Sequence, residues 1–210
     1  ASIDGTFDTL EWSAASDSVT LPLVKGMYAM VPELSELLEA TRSTHTSFQT
    51  DEAFGRVELL KFAPMGSAVC FPVMAEIFSA IIRKELRDYN RATPGAGLRQ
   101  YLVYGDDLIV PHEISQNVQR ALTQLHFRVN TQKSCCGQRD NWYFREACGI
   151  EACNGIDITP IRFSRGFKWP QEFRSNATLT IELCDMANKA YLKGYRSLRR
   201  ACFMLLQEVL

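Results

Sequence analysis

Two short apolar runs separated by only three residues place the strongest constraint on the fold. Tyr101 to Tyr104 and Leu108 to Val110 flank the tripeptide Gly105-Asp106-Asp107. A Gly/Asp junction of this length between apolar strands predicts a tight β-hairpin. Adjacent carboxylates at a hairpin tip repel each other unless a cation neutralises them. The hairpin alone is also compatible with an ordinary turn that faces water, but its apolar strands place the acids at the edge of a buried sheet.

Hydrophobic periodicity predicts further strands and helices around this hairpin. Phe7 to Trp12 is predicted as a strand, and apolar residues from Phe71 to Ile82 recur at three- and four-residue steps, which predicts an amphipathic helix. The order strand, helix, strand pair, helix, strand resembles a split βαβ sheet with helices on one face, an α+β fold. The other predicted elements are an interrupted helical stretch over 17–40, strands at 46–50, 56–62, 127–130, 143–147 and 155–159, and helices over 114–125 and from 170 onward.

Composition narrows the class of protein. The 210 residues are 46% hydrophobic and 22% charged, which is ordinary for a globular domain. The longest apolar region, Phe62 to Ile82, is interrupted by proline, glycine and glutamate, so no membrane span is expected. The chain opens on Ala1 without a secretory leader, and we expect it to be a fragment of a longer protein.

Cysteines and basic residues each leave two interpretations open. Four of the seven cysteines lie near one histidine, but they lack the paired spacing of zinc ribbons and fingers, so reduced thiols are favoured over zinc. Basic residues outnumber acids between Arg162 and Arg200, which suits either a phosphate backbone or a solvated helix face. The clustered metal-ligand types are Cys135, Cys136, Cys148, Cys153 and His126.

A second acidic group stands at the end of the first predicted strand. Glu11 is followed six residues later by Asp17. If the two strands are neighbours, Glu11 and Asp106 could share divalent cations, which is the requirement of two-metal phosphoryl transfer.

Several segments together resemble the replicase catalytic subunit of single-stranded RNA bacteriophages, an RNA-directed RNA polymerase of the levivirus type. They occur in the order of polymerase motifs A to E, and the resemblance covers about Phe7 to Phe163. The segments are Leu10-Glu11-Trp12-Ser13-Ala14-Ala15-Ser16-Asp17-Ser18, Met65-Gly66, Tyr104-Gly105-Asp106-Asp107, Asn130-Thr131-Gln132-Lys133, Phe144-Arg145-Glu146-Ala147-Cys148-Gly149 and Gly155-Ile156-Asp157-Ile158-Thr159-Pro160.

The resemblance implies a polymerase palm over residues 1–163, the helical start of a thumb over 164–210, and fingers missing upstream. It implies RNA-templated RNA synthesis with two Mg²⁺ ions, or Mn²⁺ instead, in the cytoplasm of an infected bacterial host. The implied partners are template and product RNA, nucleoside triphosphates, host translation factors and a ribosomal protein, with no membrane. We expect residues 1–210 alone to be inactive.

The resemblance also implies roles for individual residues. The metal ligands would be Glu11, Asp106 and Asp107, with Asp106 the main ligand. Lys133 would be a general acid for pyrophosphate. The nucleotide would meet Asp17, Gly66 and Ser67, and the floor beneath the primer end would include Arg145 and Glu146.

Two residues depart from the family pattern. Glu11 stands where the family has its first metal-binding aspartate, and Ser67 stands where asparagine is frequent. The extra methylene of Glu11 matters because Mg²⁺ demands near-ideal octahedral geometry. The backbone could shift, Asp8 could substitute, or the protein could be impaired; a compensated or weakened Glu11 ligand is our interpretation.

The alternative functions follow from these departures. The first is a catalytically impaired, palm-type RNA-binding protein. The others are a reverse transcriptase or related nucleotidyltransferase, and an α+β binding module with an acidic turn. Metal-dependent nucleotide incorporation separates the first of these from an active polymerase.

Overall fold

The computed structural model describes residues 1–50, 54–137, 142–162 and 176–209. In these ranges the chain divides into two compact units, Ala1–Ile158 and Thr159–Leu210. Helices and antiparallel strands are mixed, which confirms the predicted α+β class. The strands are β1 (Phe7–Ser13), β2 (His45–Gln49), β3 (Phe54–Glu58), β4 (Leu102–Tyr104), β5 (Asp107–Pro111), β6 (Arg128–Val129), β7 (Phe144–Ala147), β8 (Ile150–Cys153) and β9 (Ile156–Asp157). The helices are α1 (Ala15–Ser18), α2 (Leu21–Met27), α3 (Pro32–Thr41), α4 (Cys70–Ala92), α5 (His112–Gln124), α6 (Asn176–Leu192) and α7 (Arg196–Val209).

The main sheet of the first unit has the strand order β4-β5-β1-β6, and every neighbouring pair is antiparallel. β1 pairs with β5 so that Leu10 lies opposite Leu108 and Glu11 lies opposite Asp107. Side chains alternate between the two faces of a strand, and directly opposed residues share a face. The buried Leu10–Leu108 pair therefore faces the core, while the two carboxylates share the other face.

The core lies between this sheet and helices α4 and α5. The apolar stripe of α4 includes Ile77 and Phe78, and both are buried in the same cluster as Leu10 and Leu108. The ring of Trp12 lies 6.0 Å from that of Phe78, with the two ring planes tilted by 43°, within the separation at which aromatic side chains attract each other. Burying a large apolar side chain contributes about 1.5–3 kcal/mol. This core fixes the position of β1 relative to β5.

Most predicted elements of the first unit are present, with shifted bounds. The interrupted helix over 17–40 is three helices, α1 to α3, and the predicted pair at 46–50 and 56–62 is the β2–β3 hairpin. The sequence analysis missed β8. β7 and β8 are joined by Cys148 and Gly149, both with positive φ (52° and 75°), a type I′ requirement that cysteine seldom fulfils.

The second unit contains α6 and α7, which pack around a small apolar cluster of Met186, Ala187 and Cys202. The predicted boundary after Phe163 and the predicted helix start at Pro170 lie outside the described residues. Arg165, Lys168 and Arg174, which belong to the basic stretch between Arg162 and Arg200, also lie outside the described residues. Among the described residues, no helix is both long and apolar enough to span a bilayer.

Candidate active site

The acidic hairpin has a glycine requirement at its tip. Tyr104 pairs with Asp107, so Gly105 and Asp106 form the two-residue turn. Gly105 has φ +62°, the sign that the first central position of a type II′ turn requires. A Cβ at this position would lie 2.5 Å from Cε2 of Phe71 at the start of α4. The positive φ therefore favours glycine beside the two carboxylates, and a larger residue would also have to displace the Phe71 ring.

Asp107 occupies the more enclosed of the two acidic positions. Asp106 is exposed, whereas the Asp107 side chain is partly buried and its Oδ2 accepts a hydrogen bond from the Cys148 backbone N–H at 3.0 Å. Burial raises the pKa of Asp107, the Cys148 hydrogen bonds oppose this, and the charges of Asp106 and Glu11 raise it further. Three mutually repelling carboxylates therefore create a demand for positive charge at this edge of the sheet.

Lys133 supplies that positive charge to Glu11. Its Nζ lies 2.9 Å from Oε2 and 3.0 Å from Oε1 of Glu11. The side-chain amide of Asn130 donates to the same Oε1 at 3.1 Å. The hydrogen bond to Glu11, followed by the charges of Glu11, Glu146 and Asp107, raises the pKa of Lys133. The predicted motif A acid and motif D lysine are thus in direct contact.

The turn that carries Lys133 is fixed on the backbone of Glu11. The Asn130 N–H donates to Glu11 O at 2.8 Å, and the Glu11 N–H donates to Ser134 Oγ at 3.0 Å. Within the turn, the Ser134 N–H donates to Asn130 O at 2.9 Å. Sequence reasoning assigned no role to Asn130 or Ser134, although both lie within or beside the segment it identified as motif D.

The carboxylates supply the right ligand type for magnesium but are not gathered into one cluster. Glu11, Asp106 and Asp107 offer the hard oxygen atoms that Mg²⁺ prefers, and their repulsion would be relieved by a cation. In residues 1–50, 54–137, 142–162 and 176–209, no three His, Cys, Asp or Glu side chains converge to hold a metal. The contacts explain this, because Glu11 is directed to Lys133 and Asp107 to the Cys148 amide.

Asp17 forms an ion pair that sequence reasoning did not anticipate. Lys61 Nζ contacts Asp17 Oδ1, and Thr20 forms a β-bridge with Lys61 that brings the two segments together. The Phe62 N–H donates to Val19 O at 2.7 Å beside that bridge. No local motif marks Lys61, because its partner lies 44 positions away in the sequence.

The predicted motif B residues lie in an open turn before α4. Gly66 has φ +91°, and a Cβ there would meet nothing within 4 Å. The Ser67 N–H donates to Pro64 O at 3.1 Å. Cys70, the first residue of α4, is buried with its Sγ 3.9 Å from Ser16 O, so the end of motif A lies against the start of this helix. Gly66 thus gives the turn backbone conformational freedom, while the buried Cys70 fixes the end of the turn at the start of α4.

Arg145 occupies a structural position rather than an exposed one. It is 4% exposed, and its guanidinium donates to Phe7 O at 2.7 Å, Gly137 O at 3.0 Å and Asp8 Oδ1 at 3.3 Å. Any contribution to a primer floor is therefore through support of β1. Glu146, next along β7, is partly exposed and acts on Lys133 through its charge.

Asp8 is not a substitute for Glu11. It is completely buried and lies an odd number of residues from Glu11 along β1, on the opposite face. Its carboxylate accepts hydrogen bonds from the Gly137 N–H at 3.0 Å and from Arg145, and contacts His112 Nδ1 at 2.9 Å. These contacts remove one of the three explanations for the Glu11 anomaly.

The cysteines do not form a zinc centre in the described part of the chain. All seven are free, and none belongs to a group of three potential metal ligands there. Burial is the first cause that raises the pKa of Cys136 and Cys148. These thiols are therefore predominantly protonated at neutral pH.

Comparison with known proteins shows the family of this chain. Residues 1–173 match the family described as "RNA replicase, beta-chain". The chain is 34% identical over 160 residues to the RNA-directed RNA polymerase beta chain of Escherichia phage MS2, covering 76% of this chain and 26% of that protein. It is 34% identical over 158 residues to the same-named protein of Enterobacteria phage fr (75% and 26%), and 28% identical over 161 residues to the RNA-directed RNA polymerase subunit beta of Escherichia virus Qbeta (76% and 25%). It thus spans about a quarter of the length of these relatives, and the chain belongs to the RNA replicase beta-chain family.

Proposed function

We propose that this chain is the palm and the start of the thumb of a polymerase that synthesises RNA on an RNA template during phage genome replication. The observation that carries the proposal is the pairing of Glu11 with Asp107 across β1 and β5, next to the Gly105-Asp106 turn and Lys133. Three separate segments of the sequence, β1, the β4–β5 hairpin and the 130–134 turn, thereby contribute to one acidic edge. Membership of the replicase family supports the same assignment.

The carboxylates at this edge are the proposed ligands of two Mg²⁺ ions, with Mn²⁺ as a substitute. Asp106 and Asp107 would hold them, and Glu11 would join when its carboxylate leaves Lys133. Bound in this way, the ions would lower the pKa of the attacking 3′-hydroxyl and stabilise the departing pyrophosphate. Lys133 would donate the proton that pyrophosphate takes up.

Nucleoside triphosphates and RNA are the proposed substrates. Asp17, held by Lys61, would lie near the ribose, and the open turn at Gly66 and Ser67 would adjust beside the templating base pair. Ser67 is shorter than the asparagine frequent in the family, so ribose selection would depend more on Asp17. Host translation factors and a ribosomal protein stay predicted partners, and the infected bacterial cytoplasm the predicted location.

The test is RNA-templated nucleotide incorporation by the full replicase chain that carries this segment, with Glu11 as found and with Glu11→Asp. We expect the native chain to incorporate nucleotides and Asp106→Asn to reduce the rate by about a hundredfold or more, because the substitution removes the charge of the main proposed metal ligand. Glu113→Gln, in α5 and away from the acidic edge, is the control and should leave the rate unchanged. Incorporation that persists in Asp106→Asn would contradict the proposal.

A second candidate is a catalytically impaired palm that binds RNA. It is favoured by one observation, the complete occupation of the Glu11 carboxylate by Lys133 and Asn130. Activity in Glu11→Asp but not in the native chain would support it. RNA binding without nucleotide incorporation by either the native chain or Glu11→Asp would support it further.

A further inference from the structure

The ion pair between Glu11 and Lys133 is built into the fold. Lys133 has a half-exposed side chain (49%), but Glu11 is only 18% exposed, so the pair lies at the protein surface with its acid largely enclosed. Two hydrogen bonds to the backbone of Glu11 hold the 130–134 turn on that residue, and a third bond, from the Ser134 N–H to Asn130 O, closes the turn itself. A surface lysine that finds a partner by chance has no such anchoring, and this one reaches both carboxylate oxygens.

The position of the ammonium is also significant. Asp107 lies opposite Glu11 on the same face of the sheet, and the charges of both, with that of Glu146, act on Lys133. The ammonium group therefore supplies the countercharge that this acidic edge requires. A divalent cation that binds Glu11 competes with Lys133 for the same two oxygen atoms.

We propose that Lys133 is an exchangeable internal cation: it holds Glu11 in the metal-free protein and is released when a divalent cation takes that carboxylate. The proposal rests on the proposed polymerase function, since release would free the amine only after the ion has bound. Lys133 is in this sense a positioning residue for Glu11.

The first test measures Mn²⁺ binding to the 210-residue chain by calorimetry and electron paramagnetic resonance. Replacing Lys133 by Met removes the competitor, so we expect Mn²⁺ to bind roughly fivefold more tightly, the upper range for a partly exposed pair. Lys133→Arg keeps the charge and should not tighten binding. Lys25→Met, which breaks the exposed Lys25–Glu39 pair, should change the affinity by less than about twofold.

The second test follows the Lys133 amine itself. Lysines are ¹³C-methylated, the Lys133 signal is assigned by its loss in Lys133→Arg, and Mg²⁺ is added. We expect this signal to move toward that of an unpaired lysine in the native chain. In Glu11→Gln the Lys133 signal should already have the position of an unpaired lysine before Mg²⁺ is added, and it should not move afterwards. The Lys25 signal should not move in either protein.

The two measurements test the exchange of Lys133 separately from the polymerase function. Unchanged Mn²⁺ affinity in Lys133→Met, no saturable Mn²⁺ binding in either form, or a Lys133 signal that ignores saturating Mg²⁺ would each overturn the proposal. None of these outcomes depends on nucleotide incorporation. If the replicase is active but Lys133 is not exchanged, only the proposal about Lys133 is contradicted. If the replicase is inactive but the exchange is observed, only the proposed polymerase function is contradicted.

Discussion

At the level of single residues, Asp107 lies where burial and two neighbouring carboxylates oppose its negative charge. Its pKa is raised above the usual 3.8, with burial as the largest cause. A carboxyl group whose folded-state pKa is raised favours the protonated form on folding. Stability from this group is therefore present at low pH and is lost as pH rises through the folded-state pKa.

Asp107→Asn should consequently stabilise the chain at neutral pH. The amide keeps an oxygen for the Cys148 N–H but carries no charge, so the melting temperature should rise at pH 7 and change little at pH 3. Thermal unfolding of both proteins at the two pH values is the measurement. A lower melting temperature of the variant at pH 7 would contradict the argument.

Asp88→Asn is the matched control, and it should have the opposite sign. The ion pair with Lys84, at 3.0 Å, is the largest cause that lowers the pKa of Asp88. Its charged form therefore adds stability above the unfolded-state pKa, and that stability is lost as pH falls. Removing this charge should destabilise the chain slightly at pH 7.

The acidic residues of the site could be predicted from sequence, but their partners could not. Asp106 and Asp107 stand between two apolar runs, and Glu11 lies at the end of the predicted strand Phe7 to Trp12, so local pattern made them candidates, while their expected roles came from the family resemblance. Lys61 and the Cys148 amide reach the site from segments far along the chain, through backbone pairing. Their roles depend on tertiary geometry, which no local pattern contains.

At the level of elements, the Asp8–Arg145 pair connects the main sheet to β7. Arg145 reaches across to Asp8 and to the carbonyl of Phe7, both in β1. Both side chains are almost completely excluded from water (5% and 1% exposed). An unpaired charge at such a position is much less favourable than one at the surface.

Arg145→Met should therefore lower the free energy of unfolding by about 3–5 kcal/mol, because it removes the buried guanidinium and leaves the Asp8 carboxylate with only His112 and the Gly137 N–H. Lys25→Met, which breaks an exposed pair, should cost less than about 1 kcal/mol. Urea unfolding of the three proteins makes the comparison. An equal loss of unfolding free energy in the two variants would show that the Asp8–Arg145 pair is not a structural requirement.

Long elements with a regular apolar pattern could be predicted from the sequence, whereas a short strand that depends on its neighbours could not. The long stripe of α4 and the alternation of β1 are strong local signals, and both were identified. β8 has four residues, and its turn uses Cys148 in a left-handed conformation. Pairing with β7 and β9 stabilises it, so its existence depends on neighbours rather than on its own pattern.

At the level of the whole molecule, the two units have unequal cores. Ala1–Ile158 encloses the large cluster between the sheet and helices α4 and α5, whereas Thr159–Leu210 has the small cluster around Met186 and Cys202. Apolar burial is the dominant favourable term in folding. The smaller unit is accordingly expected to have the lower stability.

Hydrogen exchange at increasing urea should therefore show two steps. Amides of α6 and α7 should lose protection at a lower urea concentration than amides of β1, because less apolar surface holds the helices. Mass spectrometry of peptides from each unit measures this directly. Protection lost at one common urea concentration would mean that the 210 residues unfold as a single cooperative system.

The register of β1 and β5 also limits how this site can change during evolution. A slip of one residue would turn Asp107 toward the helices and expose Leu108, since neighbouring side chains point to opposite faces. Mutations that misalign the carboxylates therefore also unfold the protein, and selection for folding alone removes them. Drift at this edge is left with changes of side-chain length at a fixed strand position. Glu11 keeps its carboxylate opposite Asp107 at such a fixed strand position.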